Sequence, residues 1–235
     1  MTTRREFLAA GLSGLPGFGP PPAIPFQTIR NGRSKRRYVW IHGNERTARA
    51  VLLDHIKRHE GTANLVRSTA RNIKLLDGVI DPNRLFSREG AEANLRKLNP
   101  QWTPGKIAEA LDRLDRVREA TVRALLPPKD GLLIALHNNS EAYSVRDEVA
   151  IADRVSLRDE RHPHEFFLCT GESDFETLKT APYNAVLQNR VPKEDDGSLS
   201  RLAALRGVRY VNLEVALGNA QKQREMLDWA ELRLP

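Results

Sequence analysis

The run Gly131-Leu132-Leu133-Ile134-Ala135-Leu136 carries no polar side chain and stops at His137-Asn138-Asn139. Pro127-Pro128 breaks the chain just upstream. A short unbroken apolar run between such breakers predicts a strand buried on both faces. A strand of that kind needs cover above and below, so helices must pack on both sides of its sheet. The rest of the pattern agrees. Tyr38–Ile41, Glu165–Cys169, Ala185–Leu187 and Tyr210–Val215 read as further strands, and Asn64–Val66 and Ile73–Leu76 as strands or extended segments. Helical periodicity runs from Arg46 to His59, with Ala48, Val51, Leu52 and Ile56 on one side, and Gly61 stops it. Residues 103–126 give the clearest helix. Thr103 caps it, Pro104 opens it, and Ile107, Ala110, Leu111, Leu114, Val117, Ala120 and Leu125 form its apolar stripe. Asn219–Glu231 closes the chain as a helix with Met226, Leu227 and Ala230 inward. Strands alternating with helices predict an α/β domain with a largely parallel or mixed sheet, whose ligands bind beyond the carboxyl ends of strands.

The N-terminal segment reads as an address. Arg4-Arg5 followed by Phe7-Leu8 and a mildly apolar stretch resembles a twin-arginine export signal, and the plainer alternative is a basic tail. The stretch is too short and too rich in Gly and Pro to span a bilayer, so no stable membrane insertion is expected. Pro16, Pro20, Pro21, Pro22 and Pro25 mark a linker over residues 13–25. The expected division is therefore 1–33 for signal and linker and 34–235 for one folded domain. The expected location is the periplasm, or the cytoplasm if the signal does not function.

Net charge is +7, from 37 basic and 30 acidic residues. Such an excess admits anionic partners, but the basic residues are interspersed with acids, as in Leu111-Asp112-Arg113-Leu114-Asp115-Arg116. No nucleic-acid-binding motif accompanies the charge, so a nucleic-acid partner is not expected. Cys169, the one cysteine, sits in the apolar run Phe166-Phe167-Leu168-Cys169 and reads as core packing rather than a nucleophile.

Several polar clusters interrupt or follow apolar strands. His42 and Glu45, three residues apart at a strand-to-helix turn, can face one metal ion, or can be a surface His and a Glu favoured by the helix dipole. His137 terminates the buried strand and is placed as a third ligand, or as a core-edge His on a backbone carbonyl. Two imidazoles and a carboxylate leave a coordination position open, as catalytic zinc sites do. Glu214 lies inside Val211-Asn212-Leu213-Glu214-Val215, where a carboxylate is costly unless paired or working. Asn83-Arg84 offers an amide and a guanidinium to a substrate carboxylate, or a loop arginine paired with Asp77 or Asp81.

In chain order, His42-Gly43-Asn44-Glu45, Asp81-Pro82-Asn83-Arg84-Leu85-Phe86, Leu136-His137-Asn138 and Asn212-Leu213-Glu214-Val215 resemble the motif series of the zinc carboxypeptidase superfamily. They are most similar to its aspartoacylase and succinylglutamate desuccinylase branch. Pro82 stands where that branch has an aliphatic residue. The resemblance implies a three-layer α/β fold with a mixed, mostly parallel central sheet flanked by helices. It implies one Zn2+ per chain on His42, Glu45 and His137, with Glu214 as general base toward zinc-activated water. It also implies Asn83 and Arg84 on the substrate carboxylate and an upstream arginine, Arg71 on its position, polarising the scissile carbonyl. Tyr143 is a candidate hydrogen-bond donor to substrate, or a packing residue. Gln188 and the loop Asp195-Asp196-Gly197-Ser198 are candidates to shape the pocket. His162 and His164 fall outside the pattern and read as a loop. The expected activity is hydrolysis of an amide bond next to a free carboxylate, as in metallocarboxypeptidases and N-acyl amino acid deacylases. The substrate would be a small carboxylate-bearing molecule, a peptide or a cell-wall peptide. The alternatives are a non-catalytic binding protein on the same fold and, last, a basic nucleic-acid-binding protein.

Overall fold

All eight residues of the strand Leu132–Asn139 are buried, as its apolar run predicts. The computed structural model describes residues 24–140, 143–190 and 194–235. Arg4 and Arg5, on which the expected export signal rests, lie outside the described residues. The elements follow the order β1 (Phe26–Asn31), β2 (Arg37–Trp40), α1 (Arg46–Arg58), β3 (Gly61–Val66), β4 (Ile73–Leu75) and β5 (Gly78–Ile80). A single 3-10 turn (Pro82–Arg84) leads to α2 (Arg88–Leu98), α3 (Pro104–Leu125), β6 (Leu132–Asn139) and α4 (Val145–Val149). Then come β7 (Arg154–Ser156), β8 (Phe166–Cys169), α5 (Glu172–Leu178), β9 (Asn184–Leu187), α6 (Leu199–Leu205), β10 (Arg209–Ala216) and α7 (Ala220–Arg233).

Eight strands form one sheet in the order β1-β3-β2-β6-β10-β8-β9-β7, and β4 and β5 make a separate hairpin. Pairing is parallel from β3 through β2 and β6 to β10, and again between β8 and β9. It is antiparallel where β1 joins β3, β8 joins β10 and β7 joins β9. The protein is thus α/β with a mixed sheet and seven helices among the described residues, an arrangement compatible with three layers. α1 packs on β6 and β3 and against α7, which in turn meets β10; α6 also packs on β10. Since β2, β6 and β10 are adjacent and parallel, His42, His137 and Glu214 fall at one end of the sheet. No helix of the described residues is long and apolar enough to cross a membrane.

The expected start of the folded domain at residue 34 is corrected by β1. Phe26–Asn31 pairs residue by residue with Val66–Gly61, and Ile24 just before it is fully buried. Phe26, Ile29 and Asn31 are half-buried and the other residues of the strand are exposed, without the period-two pattern that marks a strand in sequence. The proline-rich approach further hides it. Asp81–Arg84, expected as a loop, contains the 3-10 turn, because the Asp81 side chain accepts from Asn83 N and so starts a turn. Cys169 is fully buried, and burial pushes its thiol well above the usual range.

Candidate metal centre

The turn after β2 is shaped by two contacts. A Cβ on Gly43 would lie 2.3 Å from the Ser68 carbonyl oxygen, so only glycine lets this turn pack against the chain leading to β4. The buried Trp40 indole donates to the Glu45 carbonyl at 2.7 Å and fixes the N-cap residue of α1. On the neighbouring strand, Asn138 Oδ1 accepts from Ala48 N and Asn138 Nδ2 donates to Gln223, locking the start of α1 to β6 and α7. These bonds set His42 and Glu45 opposite His137.

Their donor atoms converge. His42 Nδ1 lies 2.8 Å from Glu45 Oε1 and 3.2 Å from His137 Nδ1, and His137 Nδ1 lies 3.2 Å from Glu45 Oε2. All three side chains are buried. Across the ring, His42 Nε2 lies 2.8 Å from Asp81 Oδ1. A carboxylate on Nε2 keeps the proton there and turns the Nδ1 lone pair toward Glu45 and His137. In the neutral tautomer, lone pairs of two imidazoles and a carboxylate then face one another, which is unfavourable unless a proton or a cation lies among them. Glu45 Oε2 has no hydrogen-bond partner of acceptable geometry although it is buried. Two nitrogens and a carboxylate suit zinc or a similar divalent ion. The residues therefore fit the ion.

Without an ion the site is held by protons. Burial works against a charged His42, but its hydrogen bonds to Asp81 and Glu45 outweigh that and raise its pKa to about 9. Burial likewise opposes a charged Glu45, and the two histidines overcome it, lowering its pKa to about 2. Asp81 is also held ionised well below its usual range, with His42 and Arg71 prevailing over its burial. Arg71 spans two acids, Nη1 at 3.3 Å from Glu45 Oε1 and Nη2 at 3.2 Å from Asp81 Oδ2.

Glu214 and His137 are paired residues of parallel neighbours and so share a face of the sheet. Asn212, two residues earlier, donates to Glu214 Oε1 at 3.0 Å. Burial raises the Glu214 pKa to about 7; a charged His137 pulls it down and Glu45 pushes it up.

His42, Glu45, Arg71, Asn83, Arg84, His137, Tyr143 and Glu214 all line one cleft of about 540 Å³. The cleft thus brings together the eight residues expected as metal ligands, base and substrate contacts, and Gln188, Asp196 and Ser198 line it as well, whereas Asp195 and Gly197 do not. Asn83 Oδ1 accepts from Leu199 N, which leaves its Nδ2 to donate into the cleft. Arg84 pairs with neither Asp77 nor Asp81; its nearest acid is Asp196, 3.8 Å away. The Tyr143 hydroxyl donates to Glu148, and Gln188 donates to the same carboxylate. Burial and the nearby Glu214 and Glu148 charges push the Tyr143 phenol far above its usual range. Asp195 and Asp196 accept from Gly197 N and Ser198 N, forming the expected turn before the Ser198 cap of α6. His162 pairs with Asp159 and His164 contacts the Tyr143 carbonyl, both away from the metal ligands.

Two site residues are missing from the expectations. Asp81 is read from sequence only as a turn residue. Arg201 lines the cleft, is only 8% exposed, and its guanidinium has no hydrogen-bond or ion-pair partner among the described residues. A signal for it exists, since a cation in the first turn of a helix opposes the helix dipole and suggests another use. Comparison with family models, curated proteins and solved structures finds no match for this chain.

Proposed function

We propose that the protein is a zinc-dependent hydrolase of amide bonds adjacent to a free carboxylate, on a zinc-carboxypeptidase-like fold. The observation that carries this reading is the convergence of His42 Nδ1, His137 Nδ1 and the Glu45 carboxylate, with Asp81 on the far nitrogen of His42 and buried Glu214 beside them. A zinc ion held there would supply Lewis-acid polarisation of a carbonyl and make water more acidic.

The chain's own groups fill the other roles. Asn212 occupies Glu214 Oε1, so Oε2 remains to take a proton from the attacking water and return it to the departing amine. Burial, which raises the Glu214 pKa to about 7 in the absence of an ion, favours uptake of that proton, as a base that becomes an acid requires. Arg84 and Asn83 Nδ2 suit the substrate carboxylate, and Arg201, unpartnered among the described residues, adds a second cation on the same cleft. Arg71 engages Glu45 and Asp81 with its two arms, which fits a brace for the ligands; polarising the carbonyl would require it to release one of them. A small N-acyl amino acid or a peptide C-terminus, including a cell-wall peptide, fits this donor set, and export by the twin-arginine route would set the reaction in the periplasm.

The test is bound metal by elemental analysis of the chain from residue 24 onward, beside His137→Ala, followed by assay on N-acyl amino acids and peptides. Zinc at this site, lost with His137, together with amide hydrolysis, is expected. Zinc without hydrolysis of any such substrate would favour a binding protein. Equal zinc in the parent and in His137→Ala after supplementation would refute the catalytic reading.

A further inference from the structure

A second group of metal-type ligands lies at the seam of α1 and α7, away from the cleft. His55, His59 and Asp228 each offer one ligand atom, and these atoms lie within 4.8 Å of one another. His55 is 1% exposed, with its ring stacked on His59 at 4.1 Å and edge-on to Tyr38 at 5.2 Å. Both ring nitrogens of His55 and the Oδ1 of Asp228 are buried without a hydrogen-bond partner. Three orphaned polar atoms at one seam need an explanation, because each leaves its desolvation uncompensated.

The second carboxylate nearby supplies one. His55 Nε2 faces Glu231 Oε2 at 3.4 Å, and Glu231 is itself held by the Tyr38 hydroxyl at 2.7 Å and by Arg36 Nε at 3.3 Å. Glu231 is therefore fixed as an acceptor beside Nε2, which keeps the proton on that nitrogen. The His55 Nδ1 lone pair then faces Asp228 Oδ1 at 3.7 Å, acceptor against acceptor. A second proton on His55 or a metal cation between them removes the conflict, and a cation also gives His59 a partner. Two ligands of a tetrahedral zinc with bonds of about 2.0–2.2 Å lie about 3.3 Å apart, a small movement from 3.7 Å. Two side chains must move: Asp228, 44% exposed at its side chain, and half-buried His59, whose ring lies 13° from parallel to His55 and must turn out of that stack before both imidazoles direct in-plane lone pairs at one ion. A histidine oriented by a carboxylate on its far nitrogen is also the usual setting of an imidazole ligand.

From this geometry we infer that His55, His59 and Asp228 form a second site for a borderline divalent cation of the zinc, cobalt or nickel class, tying the end of α1 to α7. Its role is structural, because it lies on the outer helices and adjoins no cleft residue. The inference does not depend on the proposed hydrolase.

Zinc titration of the chelator-stripped chain tests it, with stoichiometry read against a competing chelator. His137→Ala is expected to keep one zinc per chain, and in that background zinc at about a hundredfold excess over its Kd should raise the thermal midpoint by roughly 5–10 °C. Adding either His59→Ala or Asp228→Asn should abolish both the stoichiometric zinc and the midpoint shift, with circular dichroism unchanged. Two independent substitutions guard against a folding defect in one of them. Zinc retained in both double variants, or no zinc bound by His137→Ala alone, would overturn the second site. Loss of the cleft zinc only would leave it standing.

Discussion

Replacing Glu214 with glutamine keeps the shape of the side chain and removes a charge from the interior of the sheet. The Glu214 carboxyl titrates at about 7 instead of 4.5 because it is buried, so the folded protein prefers it protonated. The sign follows directly. A folded-state pKa above the unfolded value gives stability that is intact below about pH 4.5 and is lost as pH rises through 7. Each pKa unit corresponds to about 1.4 kcal/mol, so the ionised acid costs the metal-free fold about 3 kcal/mol at about pH 8. Glutamine avoids that cost and still accepts from Asn212 through its own oxygen. In the presence of chelator, Glu214→Gln should therefore be more stable than the parent by up to about 3 kcal/mol at about pH 8 and nearly equal to it at about pH 4.5. In urea this is a midpoint increase of roughly 1 M. The same variant should bind zinc with unchanged stoichiometry and lose about 10²–10⁴-fold in kcat. A variant no more stable than the parent at the higher pH would refute the reasoning, since the acid would then be compensated by the fold rather than kept for chemistry.

Three further outcomes are expected. Zinc must displace the proton that Asp81 and Glu45 help His42 retain up to about pH 9, so apparent zinc affinity should rise about tenfold per pH unit from about pH 6.5 toward that value; a flat profile by chelator competition would contradict it. Asp81→Ala frees His42 Nε2 and one arm of Arg71, and should weaken zinc binding about 10–100-fold in the same assay, while an unchanged Kd would remove Asp81 from the site. A chain beginning at Ser34 lacks β1 and the buried Ile24, and should lose at least about 3 kcal/mol in urea unfolding against one beginning at Ile24; equal stability would mean β1 contributes nothing.

Much of the site was legible because its residues follow or interrupt the longest apolar strands. His137 ends the apolar run of β6, and Glu214 breaks the one in β10, so both stand out as expensive positions. Asp81 does not. It lies 39 residues from His42, and its local sequence accounts for it fully as the cap of a turn. Arg201 is similarly masked by a short helix whose apolar residues, Leu199, Leu202 and Ala203, draw attention instead. The elements the sequence left unread are mostly short ones, β7 at three residues and α4 at five, too brief for any periodicity to register. α2 is longer, but its interior Gly90 and Asn94 weaken the helical signal, and the Ser87 cap has no glutamate three residues on to reinforce it.

Arg71 has a consequence beyond bracing. Its guanidinium joins Glu45 to Asp81, and His42 joins the same two acids from within, so four side chains close a ring of contacts. Three of the four are nearly sealed from solvent, while Arg71 is 48% exposed at its side chain. The ring is therefore a frame already standing before any ion enters, with a single solvent-facing member on its outer side. A frame set by its own charges keeps its shape without an ion, so taking one up would ask little rearrangement of the four side chains.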